Sequence, residues 1–307
     1  MRSNPRFAAT MTATLAAVSM LVAACSSGPA PSSPAAPSVS SAPASPAPSA
    51  PATTYWLRMR TTQAIPPVDL FAVPPALVIT GDGLAVINQP VPAIFPGPLL
   101  PNLVGRRLSG GAQLRILTAA RDLGLLGGRT DFSPANPVMG GVAGHIEIGT
   151  EGQRVELTGD PSALMECPQP ATCDPQPGTA QAFARFWSML TDLPTFLGSE
   201  IGAENSYAAA SYAVLVGRAP NQQPELPQAP ADWPLDQSLA LFGGPVANGA
   251  ARCGTVSGAE AETLRPALVA ANQLTQWVQD PTTSATFGLT VRPMVPGEDI
   301  CREIFGP

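Results

Sequence analysis

The stretch HIEIGTEGQRVEL, residues 145–157, decides the fold class. Ile146 and Ile148 alternate with His145 and Glu147, and Val155 and Leu157 alternate with Arg154 and Glu156, so the four apolar residues would face inward and the other four outward. Gly149-Thr150-Glu151-Gly152 lies between them. Period two on either side of a glycine-bearing turn predicts a β-hairpin with one buried face. The same pattern occurs upstream. Residues 55–62 (YWLRMRTT) set Leu57 and Met59 against Arg58 and Arg60. Ala76–Thr80 and Leu84–Asn88 flank Gly81-Asp82-Gly83 and form a second predicted hairpin. Asp82 at its tip is read as turn chemistry rather than a calcium or catalytic ligand, because Asp tolerates the left-handed conformation there. Tyr207–Val216 and Phe287–Val291 read as further strands.

Helical periodicity separates these strands. Gln113–Leu126 places Leu114, Leu117, Ala120 and Leu125 on one face, with Ser109 as its cap and Gly127-Gly128 as its stop. Residues 179–193 put Phe183, Phe186, Trp187 and Leu190 on an apolar side. Ser257-Gly258-Ala259-Glu260 has capping-box spacing, which predicts a first turn, a kink at Pro266, and a helix from Ala267 to Gln279. Hairpins and helices together predict an α+β fold, with antiparallel hairpins packed on about three main helices in two lobes. Pro220, Pro224, Pro227, Pro230 and Pro234 mark residues 221–234 as a linker or long loop between a domain at 55–220 and a smaller lobe at 235–307. Both halves carry a Ser-Gly helix start and a Leu-Arg…Ala-Ala stretch (Leu114 to Ala120, Leu264 to Ala271). Two ordinary helices are the preferred reading over a decayed internal repeat.

Composition narrows the function classes. Of 307 residues, 45% are hydrophobic and 12% charged, and every basic residue is arginine. Without lysine there is no Schiff base, no ammonium base and no P-loop lysine. The net charge is −6, and no basic run is present, which argues against a nucleic-acid partner.

The first 25 residues read as an export signal. Arg2 and Arg6 form a positive start, Phe7 to Ala24 carry no charge, and the run ends Leu21-Val22-Ala23-Ala24-Cys25. This run resembles the lipobox of bacterial lipoproteins. The resemblance implies cleavage of a signal peptide at residues 1–24 and a diacylglyceryl thioether on Cys25. It places the protein on the extracytoplasmic face of the cell membrane. Ser26 to Thr54 contains only Ser, Gly, Pro, Ala, Val and Thr. Residues 25–54 are therefore expected to be a lipidated tether that cannot bury enough apolar area to fold. At about 3.1 Å per residue, proline-rich chain of this length reaches at most ~90 Å. In leader, tether and composition the chain resembles lipoproteins of high-GC Gram-positive bacteria.

With Cys25 assigned to the lipid, four cysteines remain and allow three pairings. The favoured set is Cys167–Cys173, which brackets the loop CPQPATC, and Cys253–Cys301, which staples the C-terminal segment. These spacings do not suit zinc, and no cofactor motif is present.

The chemistry-bearing candidates are few. His145, the only histidine, lies two residues from Glu147 on the predicted polar strand face, where a solvated face is the preferred reading over a metal or base pair. Glu147 with Glu156 is the candidate carboxylate pair for hydrolysis. Trp187, Trp233 and Trp277 are read as core anchors rather than a sugar platform. The expectation is a non-enzymatic, lipid-anchored binding or structural protein of the envelope, its partner an envelope protein or a small molecule. The alternatives are a carboxylate-dependent hydrolase and a protein-binding, inhibitor-like module presenting a hairpin edge. An enzyme requires a pocket gathering two acids, a small-molecule binder an apolar cavity, and an inhibitor an exposed edge.

Overall fold

The structure, a computed structural model, describes residues 55–62, 65–134, 141–150, 153–166, 174–279 and 285–306. Cys25, the tether, Cys167 and Cys173 lie outside the described residues. The fold is α+β. Its first half runs β1 (Tyr55–Thr62), α1 (Pro67–Ala72), β2 (Leu77–Thr80), β3 (Leu84–Gln89), β4 (Asn102–Arg107), α2 (Gly110–Asp122) and β5 (Asp131–Phe132). It continues through β6 (Ala143–Thr150), β7 (Gln153–Gly159), α3 (Ala180–Thr191), α4 (Leu193–Leu197) and β8 (Asn205–Ser206). These strands form one sheet in the order β5-β7-β6-β1-β2-β3-β4-β8.

The predicted inward parity is the observed one. Leu57, Met59, Ile79, Ile146, Ile148 and Leu157 are buried against Phe183, Phe186 and Leu190 of α3 and Ile116 of α2. The Gly81-Asp82-Gly83 turn forms as expected. Gly83 sits at φ +81°, and a Cβ there would lie 3.0 Å from the Leu108 carbonyl oxygen. Glycine alone suits both demands. In α2 the Ser109 hydroxyl accepts from Ala112 N at 3.3 Å; Ala120 and Leu125 are buried and Leu117 packs on the core as expected, but Leu114 does not. Ala112, Ile116 and Ala120 face the sheet, and Leu114 is 62% exposed. Two alanines one turn either side of Ile116 let the helix approach closely, and Leu114 lies on the opposite side of that stripe.

The second half adds β9 (Ser211–Arg218), β10 (Ala231–Asp232), β11 (Gly244–Val246), β12 (Ala251–Ser257), α5 (Gly258–Ala270), β13 (Trp277–Val278), β14 (Phe287–Pro293) and α6 (Ile300–Phe305). The second sheet is ordered β10-β13-β14-β9-β12-β11. β9 begins four residues later than expected, because Tyr207 N donates instead to Leu103 O of β4 at 3.0 Å. α5 passes through Pro266 without ending there and stops at Ala270, short of the expected Gln279. The Asn272 side chain accepts from Leu274 N and Thr275 Oγ1 accepts from Asn272 N, both at 2.9 Å. These local bonds replace the helical ones and terminate the helix. The expected capping box does not form: Ser257 makes no side-chain cap bond, and Gly258 at φ +59° turns the chain into α5.

The stretch 221–234, expected as a linker or long loop, lies between strands of one sheet. β9, upstream of the prolines, is central in the second sheet, and β10 lies within the stretch itself. All described residues belong to one compact unit. α6 joins the two sheets: Phe305 meets Phe71 of α1 at 6.2 Å between ring centroids, and Glu303 pairs with Arg58 of β1 at 2.9 Å. Cys253–Cys301 is bonded, with Cα atoms 5.8 Å apart, and fixes α6 to β12.

The two sequence stretches with similar helix starts occupy matching places. β1 lies between β2 and β6, and α2 carries the chain from one side to the other. β9 lies between β12 and β14, and α5 does the same.

Candidate functional site

The charged face of β1, β6 and β7 was expected to be solvated, and at its centre it is not. Arg58 and Glu147 are each under a tenth exposed. Arg58 donates to Glu147 Oε1 from Nε at 2.9 Å and from Nη2 at 2.7 Å, and the Tyr55 hydroxyl donates to Oε2. Glu303 on α6 pairs with Arg58 Nη1 at 2.9 Å, and Arg58 and Arg154 both lie over the Tyr55 ring. Burial works to raise the Glu147 carboxyl, but the Tyr55 hydroxyl and the Arg58 guanidinium outweigh it and hold the group below its ordinary value. Burial, then the bond to Glu147, pushes Tyr55 up to about 12.

Glu156 stands directly opposite Glu147 in the β6–β7 register. It is tied by Arg60 Nη2 at 3.2 Å, and Arg60 Nε also lies 3.7 Å from Glu147. His145 meets Thr62 Oγ1 at 2.9 Å through Nε2 and Thr158 Oγ1 at 3.2 Å through Nδ1, with Glu156 at 3.3 Å. Burial and then Arg60 lower its basicity. Both ring nitrogens are thus occupied by hydroxyls. Asp82 is held below its ordinary value by the Thr80 hydroxyl and by Arg107, 2.9 Å away, as a turn residue. Among the described residues, no group of three or more His, Cys, Asp or Glu could hold a metal ion. The candidates gathered on this face hold strands together through closed pairs.

A cavity of about 580 Å³ lies elsewhere, at the end of β1 and the start of β6. Thr61, Ala143 and Gly159 come from three adjacent strands, Asp160 and Ser162 from the turn after β7, and Trp187 from α3. Glycines set the geometry. A Cβ on Gly144 would lie 2.7 Å from the Trp187 ring, and one on Gly159 would lie 2.5 Å from the Phe183 ring. Bare backbone on β6 and β7 therefore lets the α3 rings lie close on the sheet and carries Trp187 to the cavity wall. Asp160 Oδ1 accepts from Ser162 N at 2.7 Å and from Ser162 Oγ at 2.6 Å. Asp160 is the only ionisable group in the lining described.

Cavities of roughly 300–1,000 Å³ with a mainly apolar lining and a few fixed polar groups suit small ligands. Trp187 is a core anchor, as expected, but it also lines this space. Trp233 and Trp277 pack edge to face at 6.1 Å within the second core, apart from it, so no three-tryptophan platform forms. The Gly159-Asp160-Pro161-Ser162 turn was not singled out in the sequence. Its signal was the pair of glycines inside strand patterns, which marks close backbone approach.

No helix among the described residues is long and apolar enough to cross a membrane. In comparisons with known proteins the chain matches no protein-family model, no curated protein and no solved structure.

Proposed function

We propose that the protein is a lipid-anchored, extracytoplasmic binding protein that takes up a small, largely apolar, uncharged molecule in the cavity beside Trp187. The observation that carries this reading is the cavity itself: about 580 Å³, apolar for the most part, with one acid already oriented by Ser162. Asp160 Oδ1 takes both serine bonds, so Oδ2 is the acceptor for a ligand hydroxyl or amide. The Cys25 lipobox supplies the anchor and the tether supplies the reach.

A carboxylate hydrolase draws less support. A general acid needs a raised carboxyl, and Glu147 is held low by its partners. Strand addition draws less as well, because the outermost strands β5, β8, β10 and β11 are only two or three residues long.

The test uses the neutral fluorophore N-phenyl-1-naphthylamine and the full-length chain. Uptake should be saturable, and Ala143→Phe, which fills the cavity mouth, should weaken it by about tenfold or more, on the order of 1.4 kcal/mol. Equal uptake by Ala143→Phe would overturn the assignment. Mass spectrometry of the mature protein tests the anchor, and an unmodified Cys25 would remove it.

A further inference from the structure

The loop that joins β3 to β4, residues 90–101, reads PVPAIFPGPLLP, and no residue between Asp82 and Arg106 is charged. Its tip leaves large apolar side chains in water: Ile94 is 62% exposed, Phe95 59% and Val91 45%. Val91 lines a groove of about 410 Å³ together with Val269 of α5, itself exposed, and Tyr212 of β9. Isolated exposed apolar residues are ordinary, but a gathered set of them marks a surface that meets an apolar partner.

A loop enters an apolar phase at low cost only if it brings few unpaired N–H groups with it. Pro90, Pro92, Pro96, Pro98 and Pro101 have none to bring. Ile94 N donates to Pro92 O at 2.9 Å, Gly97 N to Gln273 Oε1 at 3.3 Å and Leu99 N to Ala271 O at 3.3 Å. Most of the loop's nitrogens therefore carry no free donor. Gln273 N also donates to Gly97 O at 3.0 Å, which fixes the returning limb to the end of α5. The tip is thus held out on a braced support.

We infer that this loop is a membrane-docking element, whose Ile94 and Phe95 enter the interfacial layer of the bilayer that carries the Cys25 anchor. The inference rests on that anchor to bring the chain to a bilayer, and not on the ligand of the Trp187 cavity. Reach decides whether the loop arrives there. β1 is antiparallel to β2 and β2 to β3, so the end of β3 lies across the sheet from Tyr55, where the tether joins. β1 has 8 residues and spans roughly 26 Å at ~3.3 Å per residue. That is well inside the ~90 Å available to residues 25–54, so the far end of the sheet can face the lipid. A second copy of the chain is the poorer occupant. Even an aromatic side chain offers only about 150–250 Å², and Val91, Ile94, Phe95 and Val269 are partly covered already. Together they fall short of the ~800 Å² per partner of a stable interface, whereas a bilayer needs only protruding side chains. With no charge in the loop and a net charge of −6 on the chain, apolar transfer rather than attraction to anionic lipid carries the contact.

The test couples the mature chain, from residue 25 on, through its Cys25 thiol to a maleimide phospholipid in phosphatidylcholine vesicles. This supplies the attachment whether or not the native thiol is acylated, so a failed anchor and a failed loop are told apart. Phe95→Trp reports insertion, through quenching by phosphatidylcholine brominated high on its acyl chains. About half or more of the emission added by Phe95→Trp should be lost, the depth expected of an interfacial residue, and molar salt should not restore it. Ile94→Ser in the same background should reduce the quenching. Leu114→Trp is the control: Leu114 is as exposed as Ile94 but lies at the other end of the sheet, where Gln113 bonds to Thr80 O, and its emission should not be quenched. An unquenched Phe95→Trp, equal quenching of Leu114→Trp, or quenching abolished by salt would each overturn the inference. So would an uncoupled chain that sediments as a dimer and that Ile94→Ser dissociates, since the loop would then belong to a second copy.

Discussion

Arg58 on β1 and Glu147 on β6 face each other directly in the strand register and pair at 2.7 Å with both side chains buried. The pair joins neighbouring strands of the first sheet, and through Glu303 it also reaches α6. A buried pair is weak evidence for net stabilisation, because desolvation offsets much of the attraction, but breaking it strands a charge. Glu147→Leu alone should therefore destabilise by roughly 3–5 kcal/mol. The double variant Arg58→Met with Glu147→Leu should lose less than that single change. Urea denaturation of wild type, both single variants and the double decides the matter, and a double variant as damaged as the sum of the two singles would refute the pairing.

The same cluster sets a pH dependence. Glu147 is held below its ordinary value of 4.5 in the folded protein. Its stabilisation is thus present above the unfolded value and is lost as pH falls through the folded one. In thermal melts, wild type should lose its advantage over Glu147→Gln as pH drops below 4.5. Comparing the two proteins cancels the opposing contribution of Glu298, whose carboxyl is raised mainly by burial despite Arg292. A stability gap that stays constant through the acid range would contradict this.

At the alkaline end, burial pushes both Tyr55 and Tyr207 up to about 12, from an ordinary 10.0. A group whose folded value is raised contributes fully below its unfolded value and is lost as pH rises through the folded one. Stability should therefore decline between about 10 and 12. Tyr55→Phe should remove part of that decline, and tyrosinate absorbance should show Tyr55 and Tyr207 ionising late. Tyr55 titrating at its ordinary value would count against its buried bond to Glu147.

Much of the first sheet was legible in residues 145–157 and 55–62, because a period of two with one apolar parity admits few other structures. The burial of Glu147 was not legible. Parity places it on the polar face, but Tyr55 and Arg58 close over it, and Arg58 is in turn held by Glu303 of α6, some 156 positions further along the chain. The end of α5 was missed for a local reason: Asn272 and Thr275 offered backbone partners that the apolar period ignored. Prolines mark surface loops as readily as boundaries, and the long-range pairing of β9 with β12 and β14 leaves no trace in the intervening sequence. The first cavity was visible only as two glycines within strands.

The disulfide closes a sequence separation of 48 residues. On chain-entropy grounds, losing such a crosslink costs about 4 kcal/mol. Cys301→Ser should lower the denaturation midpoint accordingly, and the loss should be greatest for α6. Proteolysis near the C-terminus, followed with and without reductant, checks where the loosening occurs. Unchanged C-terminal protection in Cys301→Ser would mean that Arg58–Glu303 and the buried Arg292–Glu298 pair hold α6 without it.

Gly159 and Gly217 give the sharpest contrast, since each sits near the end of a strand that borders a cavity. A Cβ on Gly159 would lie 2.5 Å from the Phe183 ring, which is fully buried and cannot retreat without moving α3. Overpacking of this kind costs typically ~1–3 kcal/mol, so Gly159→Ala should destabilise by that amount and displace Trp187 with its helix. A Cβ on Gly217 meets nothing, and Gly217→Ala should change stability by no more than about 0.5 kcal/mol. Paired chemical denaturation reads the difference, and Trp187 fluorescence reads the displacement. Equal tolerance at both positions would mean that α3 does not rest on bare backbone, and the wall of the first cavity would then be placed wrongly.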